Sequence, residues 1–160
     1  MRKVFFLLFF ISSFSYSQNV TPAFKEGEFL KYKLSYGPIN AGYASLELKG
    51  HFENETEMFH IIGNGWTTGM TNFFFSVKDN YETYFTKNNI QPFRFIRKID
   101  EGGYTKDKEI LFNFKTNIAT VLDHKKSTEN TFTIHAKVQD MLSSLYYLRT
   151  VDFNTLKEGD

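Results

Sequence analysis

The sequence predicts a mainly β fold: an antiparallel, strongly curved sheet or open barrel with one packed helix at about residues 138–150. Short runs of alternating apolar and polar side chains recur along most of the chain, and a period of two is typical of half-buried strands. One segment near the carboxyl end instead places its apolar residues at helical spacing. A β-sandwich is the alternative arrangement for short strands at such regular intervals.

The first two strands form the clearest pair. Apolar and polar side chains alternate from Glu28 to Tyr36 and again from Ala44 to Lys49, and the turn residues 37–42 separate the two runs. A connection this short cannot cross over to a parallel partner, so the runs predict an antiparallel hairpin. We expect the apolar side chains of both runs to share one buried face: Leu30, Tyr32, Leu34, Ala44, Leu46 and Leu48.

Later segments repeat the strand pattern, with polar turns between them. The glycine-rich residues 63–69 precede a strand-like Asn72–Phe75 run rather than a helix, so we interpret the glycines as bends or bulges in a sheet. Asp100–Gly103 is typical of a hairpin turn. The predicted strands are Met58–Ile62, Thr71–Val77, Asn80–Thr86, Pro92–Asp100, Thr105–Lys115, Ile118–Leu122 and Thr131–Ala136.

The predicted helix carries an apolar stripe that we expect to pack on the sheet: Val138, Met141, Leu142, Leu145 and Leu148. Asp140 lies in its first turn, where a carboxylate is stabilised by free amide groups and the helix dipole. The spacing places Ser143 on the exposed side, so we expect this serine to be dispensable. Arg149 lies at the end of the helix, where it can meet the last carbonyl groups.

The amino-terminal residues 1–17 predict a signal peptide. Two basic residues precede an apolar run from Val4 to Ile11, and small Ser15 and Ser17 occupy the −3 and −1 positions before Gln18. The apolar run is too short to span a bilayer, which takes about 20 residues. We therefore expect a single β-rich domain over 18–160, exported and soluble, in the periplasm or associated with the outer envelope, without a transmembrane segment after cleavage.

Composition excludes several classes of function. The chain has no cysteine, which excludes disulfide scaffolds, thiol catalysis and thiolate metal sites. Its formal net charge of +1 falls to −1 when Arg2 and Lys3 leave with the signal peptide, so we expect no nucleic-acid partner. The four histidines lack metal-ligand spacing, and the sequence indicates no metal and no cofactor.

The carboxyl end is unusual for a β domain. Residues 156–160 have the composition of a turn that opens into another strand, and ending there would leave a sheet edge without its partner. We therefore expect the natural domain to continue beyond Asp160.

Several short motifs spread over the chain form a recognisable set: Gly27-Glu28-x-Leu30-x-Tyr32, Tyr36-Gly37-x-Ile39-x-Ala41-Gly42, Val77-x-Asp79, Pro92, Glu101-Gly102, Val138-Gln139-Asp140-x-x-Ser143-x-x-Tyr146, Arg149 and Gly159-Asp160. Read in order, these segments resemble the domain of unknown function 3108, a family of uncharacterised exported bacterial envelope proteins. That resemblance implies a β-rich exported protein and brings no assigned activity or catalytic residue. The phenylalanine-rich leader and its Ser-Gln junction are similar to those of flavobacterial (Bacteroidetes) exported proteins.

Two classes of function are consistent with the sequence. The aromatic content of 18% favours a noncatalytic binding or scaffold protein whose concave apolar face holds a lipid-like small molecule, a glycan or an envelope protein. The alternative is an envelope polysaccharide hydrolase that uses the strand carboxylates Asp79 and Asp100. No catalytic residues are assigned, and the candidate ligand-binding residues are Trp66, Phe73, Phe75, Tyr81 and Arg149.

Cleavage of the signal peptide is directly testable. Because Ser15 and Ser17 precede the junction and the apolar block ends before them, protein recovered from outside the cytoplasm is expected to begin at Gln18. Amino-terminal sequencing measures this, and an exported protein that still begins at Met1 would contradict the prediction.

Overall fold

A computed structural model describes residues 23–157 and residue 159, so the predicted signal peptide lies outside the described residues. The strands form one antiparallel sheet in which each strand pairs with the next along the chain, and the two outer strands do not pair with each other. The mainly β, antiparallel prediction is therefore confirmed, as an open sheet rather than a sandwich. The strands are β1 Phe29–Tyr36, β2 Ile39–Glu53, β3 Thr56–Thr67, β4 Val77–Thr86, β5 Pro92–Glu101, β6 Tyr104–Asn113, β7 Ile118–Asp123 and β8 Thr128–Thr133. The helices are α1 Gly69–Phe74, α2 Met141–Leu148 and a short 3₁₀ turn, Phe153–Thr155.

The strand register gives the sheet two distinct faces. Leu30 lies opposite Leu46 and Tyr32 lies opposite Ala44, as the hairpin pattern predicts, and we call the face that bears them the core face. Tyr32 and Leu34 are nevertheless about half exposed, so the expectation that they are buried was wrong. They belong to β1, one of the two edge strands of the sheet.

The core lies at the centre of the core face. Leu48, Ile61 and Phe85 are fully buried there, and each such side chain contributes roughly 1.5–3 kcal/mol of hydrophobic stabilisation. After β8 the chain returns across this face, and Ile134 and Val138 pack against the core. The returning segment and α2 cover the middle of the sheet.

Helix α2 is shorter than predicted and presents a different side to the sheet. Leu142 and Tyr146 are buried, whereas Met141, Leu145 and Leu148 are 52%, 41% and 50% exposed. The predicted stripe was therefore wrong for these three side chains, and Val138 precedes the helix rather than belonging to it. The helix packs on the sheet through Leu142 and Tyr146, which lie four residues apart, and the Tyr146 ring takes the buried place expected for Leu145 and Leu148.

A buried capping box begins α2. The Asp140 carboxylate accepts hydrogen bonds from the backbone N–H groups of Leu142 and Ser143, both at 2.9 Å, and Thr83 on β4 donates to it at 2.6 Å. The Ser143 hydroxyl accepts a hydrogen bond from the Asp140 N–H. Ser143 is fully buried, so the expectation that it is exposed was wrong. Burial raises the pKa of Asp140, and the hydrogen bonds from Thr83, Ser143 and Leu142 partly offset this increase.

Helix α1 replaces the strand predicted at Thr71–Val77. Gly69 adopts a φ of +54°, a left-handed conformation that glycine tolerates best, and this turns the chain out of β3. The Thr67 hydroxyl lies 3.0 Å from Asn72 Oδ1 and accepts from the Val77 N–H at 2.8 Å. The phenylalanines that follow Asn72 thus form a compact excursion between two paired strands.

The buried cap predicts a large loss of stability on its removal. Asp140→Ala deletes the cap and leaves the Thr83 hydroxyl and two backbone N–H groups without partners, so we expect about 2–4 kcal/mol of destabilisation. Asp152→Ala is the matched control, because Asp152 caps the 3₁₀ turn at an exposed position, and about 0.5 kcal/mol or less is expected. Urea unfolding measures both, and equal losses would contradict the structural role of Asp140.

Candidate functional site

A cleft opens on the core face beside the start of α2. Gly63 and Gly65 of β3 form its floor, and Tyr32, Tyr81 and Met141 stand around it. Its volume is about 270 Å³, and we call it the glycine cleft. Its other lining residues are Ala44, Ser45, Leu46, Asn64, Asp79 and Leu142.

The two glycines have different roles. A Cβ atom on Gly63 would lie 3.2 Å from Leu46 Cδ2 and 3.5 Å from the Leu142 methyl carbons, so glycine here allows α2 to approach the sheet. A Cβ atom on Gly65 would meet only Asp79 Cβ, at 3.8 Å, which is ordinary contact. The missing side chain at Gly65 therefore leaves cleft space rather than making room for a neighbour. Neither glycine is the site of a bulge, because β3 pairs without irregularity on both sides; the bend expected in this glycine-rich segment occurs at Gly69.

The polar end of the cleft is its lining residue Asp79, which has Glu101 and Arg97 as charged neighbours. Asp79 Oδ1 is buried without a hydrogen-bond partner among the described residues. Burial raises the pKa of Asp79, and the neighbouring Glu101 carboxylate raises it further, while Arg97 acts in the opposite direction. The Arg97 guanidinium lies 5.9 Å from the Tyr81 ring centroid, and its Nε is likewise buried and unpartnered within the described chain. Buried polar atoms are usually satisfied, so this end of the cleft can accept a polar group.

Trp66 lies on the opposite face of the sheet from the glycine cleft. It is half-buried, with the Tyr43 ring at 5.8 Å and the Lys31 ammonium at 5.7 Å from its ring centroid. It lines a broad groove of about 620 Å³ whose other walls are mostly charged or polar. The tryptophan is therefore part of a mixed aromatic and lysine surface.

Arg149 ties the end of α2 to the start of β1. Its guanidinium donates to both carboxylate oxygens of Glu28, at 2.6 and 2.7 Å, rather than to the last carbonyls of the helix. The hydrogen bond from Arg149 lowers the pKa of Glu28. Burial, followed by the Glu28 charge, raises the pKa of Tyr146 to about 12. This geometry is structural: it joins elements far apart in sequence.

The five candidate binding residues do not converge. Tyr81 lines the glycine cleft, Trp66 lies on the other face, and Arg149 is engaged with Glu28. Phe73 and Phe75, on α1 and at its end, are 82% and 52% exposed at one end of the sheet. Only Tyr81 thus belongs to the cleft beside α2.

The carboxylates of the hydrolase alternative also lie apart. Asp79 pairs with Ile99, whereas Asp100 pairs with Lys78, so the two acids project to opposite faces. Asp100 accepts a hydrogen bond from the Gly103 N–H at 3.1 Å, as predicted for a hairpin turn. The sequence did not single out Glu101 or Arg97, because their approach to Asp79 and Tyr81 follows from the pairing of β4 with β5.

Three of the four histidines, His51, His60 and His124, form hydrogen-bonded pairs with glutamates. His60 contacts Glu82 at 2.7 Å and stacks on Tyr84 with ring centroids 4.1 Å apart. Burial lowers the pKa of His60, although Glu82 partly offsets the effect. Within residues 23–157 and 159, no group of three or more potential metal-binding side chains comes together.

Comparison with known proteins assigns the chain to a family. A family model described as protein of unknown function (DUF3108) matches residues 31–160, and the chain belongs to that family. No curated protein and no solved structure matches the chain. Among the described residues, no helix is long and apolar enough to cross a membrane.

The tie between Arg149 and Glu28 predicts a pH-dependent contribution to stability. Because the folded pKa of Glu28 lies below its ordinary value, the stabilisation is present above that ordinary value and is lost as pH falls through the lowered one. Arg149→Gln is expected to lower Tm at about pH 7, with a difference from wild type that shrinks toward about pH 2.

Lys49→Gln is the matched control, since Lys49 makes an exposed ion pair with Glu47 and such pairs contribute little. Differential scanning calorimetry over this pH range measures both variants. A constant Tm difference for Arg149→Gln at all pH values would contradict the assigned role of Glu28.

Proposed function

We propose that this DUF3108 protein is a noncatalytic binding protein of the bacterial cell envelope that holds a single-chain amphiphile in the glycine cleft. The observation that carries the proposal is a cleft with apolar walls and a polar end. Tyr32, Tyr81 and Met141 offer apolar contact. Asp79 Oδ1 in the lining, and Arg97 Nε on the β5 residue that pairs with Tyr81, lack partners among the described residues. Ligand sites typically combine such walls with a few polar groups that orient the ligand.

The size of the cleft favours a chain over a bulky ring system. Its 270 Å³ is slightly below the range of about 300–1,000 Å³ that is typical of sites enclosing a whole drug-sized ligand. Exposed Leu34 and Leu145, which lie on β1 and α2 next to cleft residues, extend the apolar surface beyond it. Each methylene group buried along this surface contributes roughly 0.8 kcal/mol.

The charges at the polar end favour an uncharged head group. Burial and the Glu101 carboxylate already make a negative charge on Asp79 unfavourable, and they raise its pKa. The Arg97 guanidinium offsets part of this effect, so little positive charge remains to pair with an anionic ligand. A full charge on the ligand would remain unpaired there, which is costly in a partly buried site. A hydroxyl or amide head, which both donates and accepts hydrogen bonds, matches the free carboxylate oxygen and the free guanidinium N–H.

The location in this proposal comes from the sequence. The predicted signal peptide sends the protein to the periplasm or the outer envelope, where single-chain lipids and lipid fragments are available. A binding protein there needs neither a nucleotide nor a catalytic group.

Filling the cleft tests the proposal. Gly65→Val adds a side chain into open space at a strand position without a left-handed φ, so the fold is expected to remain intact. Titration with 1-monomyristoylglycerol, followed by calorimetry and backbone amide NMR, is expected to show saturable binding to wild type and at least about tenfold weaker binding to Gly65→Val, a loss of about 1.4 kcal/mol.

Thr131→Val is the matched control, since Thr131 is exposed on β8 away from the cleft, and its affinity is expected to equal that of wild type. Amide shifts in wild type should centre on Gly63, Gly65 and Tyr81. Equal binding by Gly65→Val and wild type, or no saturable binding by wild type, would overturn the proposal.

A further inference from the structure

The end of the sheet that carries α1 presents a cluster of exposed apolar side chains. Met70, Phe73 and Phe74 are 72%, 82% and 77% exposed. The turn between β1 and β2 lies beside them, because the Thr68 N–H donates to the Ala41 carbonyl at 3.2 Å. We define the aromatic tip by six residues: Tyr36, Ile39, Met70, Phe73, Phe74 and Phe75. A contiguous exposed patch of this kind marks an interaction surface.

We propose that the aromatic tip inserts into the interfacial region of a lipid bilayer. This interaction is separate from the glycine cleft, so either proposal can fail alone. Two uncharged stretches supply the tip: the chain has no Asp, Glu, Lys or Arg from Ser35 to Leu46 or from Met58 to Val77. No formal charge on these loops has to be desolvated when they enter the interface.

The backbone of the tip is suited to a low-dielectric environment. The Asn72 N–H donates to the Thr68 carbonyl, and the Phe75 N–H donates to the Thr71 carbonyl at 2.8 Å. The Thr67 hydroxyl accepts from the Val77 N–H. These internal hydrogen bonds reduce the number of main-chain groups that would lose water on insertion. They also hold α1 in place, so the phenylalanines are presented to solvent by an ordered backbone.

The shape and chemistry of the tip favour a bilayer over a protein partner. It projects from the end of the sheet, and its side chains carry only one hydrogen-bonding group, the Tyr36 hydroxyl. Protein interfaces usually contain about one hydrogen bond per 100–200 Å², whereas insertion into lipid requires no directional partner.

Charged residues bound the tip where a lipid head group would lie. Lys33 precedes the first uncharged stretch and Lys78 follows the second, and both side chains are exposed. On the neighbouring β5–β6 hairpin, Asp100 bonds to the Gly103 N–H within its own turn. Lysines at this depth attract anionic head groups modestly, so insertion of the phenylalanines is the main source of affinity and the lysines add a preference for anionic lipid.

A tryptophan placed at the tip tests insertion locally. In the full chain, Trp66→Phe removes the native tryptophan and Phe74→Trp places the fluorophore at the tip. The matched control is Phe52→Trp in the same background, because Phe52 is 69% exposed near the far end of β2, roughly 40 Å from Ile39 at about 3.3 Å per residue. Vesicles of phosphatidylethanolamine and phosphatidylglycerol (3:1), with bromine in the acyl chains, quench a fluorophore that enters the bilayer.

The expected result is at least twofold quenching and a blue shift for Phe74→Trp, with little change for Phe52→Trp. Adding Phe73→Ser and Phe75→Ser should weaken partitioning at least tenfold, and pure phosphatidylcholine vesicles should bind a few-fold less tightly. Equal quenching of the two tryptophans, or none at the tip, would overturn the proposal. If the tip is not quenched and the double serine variant instead disrupts a dimer in analytical ultracentrifugation, the tip contacts a second copy of the chain and not lipid.

Discussion

The packing of α2 on the core face is the interaction on which the rest of the structure depends. An open sheet has one apolar face that must be covered, and here the cover is a two-turn helix, too short to be stable alone. Leu142 and Tyr146 supply its buried side, and polar contacts hold its two ends. Asp140 bonds to Thr83 at the start, and Arg149 bonds to Glu28 at the end. The rotation of the helix and its height above the sheet follow from these contacts.

That position of α2 produces the glycine cleft. Gly63 allows Leu142 to approach β3, whereas Gly65, two residues along the strand, faces no helical side chain and leaves space. The polar end of the cleft lies near the end of the sheet that bears α1, since Asp79 follows the first residue of β4 by two positions. The proposed amphiphile cleft and the proposed lipid-inserting tip therefore lie toward the same end of the sheet.

Much of the sheet could be predicted from local patterns, because alternation with a period of two needs no knowledge of distant residues. The β1–β2 register followed from the short turn, and the Asp100–Gly103 turn followed from its residue types.

The side of α2 that is buried could not be predicted, because leucines at 142, 145 and 148 satisfy the helical period equally well. The choice depends on Thr83 and Glu28, which lie 57 and 121 residues from their partners. Residues 73–75 resemble a strand locally, and the left-handed turn at Gly69 together with the hydrogen bonds of Thr67 makes them part of a helical segment. The meeting of Asp79 with Glu101 likewise depends on the pairing of two strands.

The central claim is that α2 faces the sheet through Leu142 and Tyr146 and leaves Met141 and Leu145 outside. Nuclear Overhauser contacts in a sample with labelled methyl groups measure this directly. Strong contacts are predicted between the Leu142 methyl protons and the Gly63 α-protons, since the nearest Leu142 carbons lie 3.5 Å from where a Gly63 Cβ would stand. Contacts from the Leu145 methyl groups to Ile61 or Leu48, together with no contact between Leu142 and Gly63, would contradict the account.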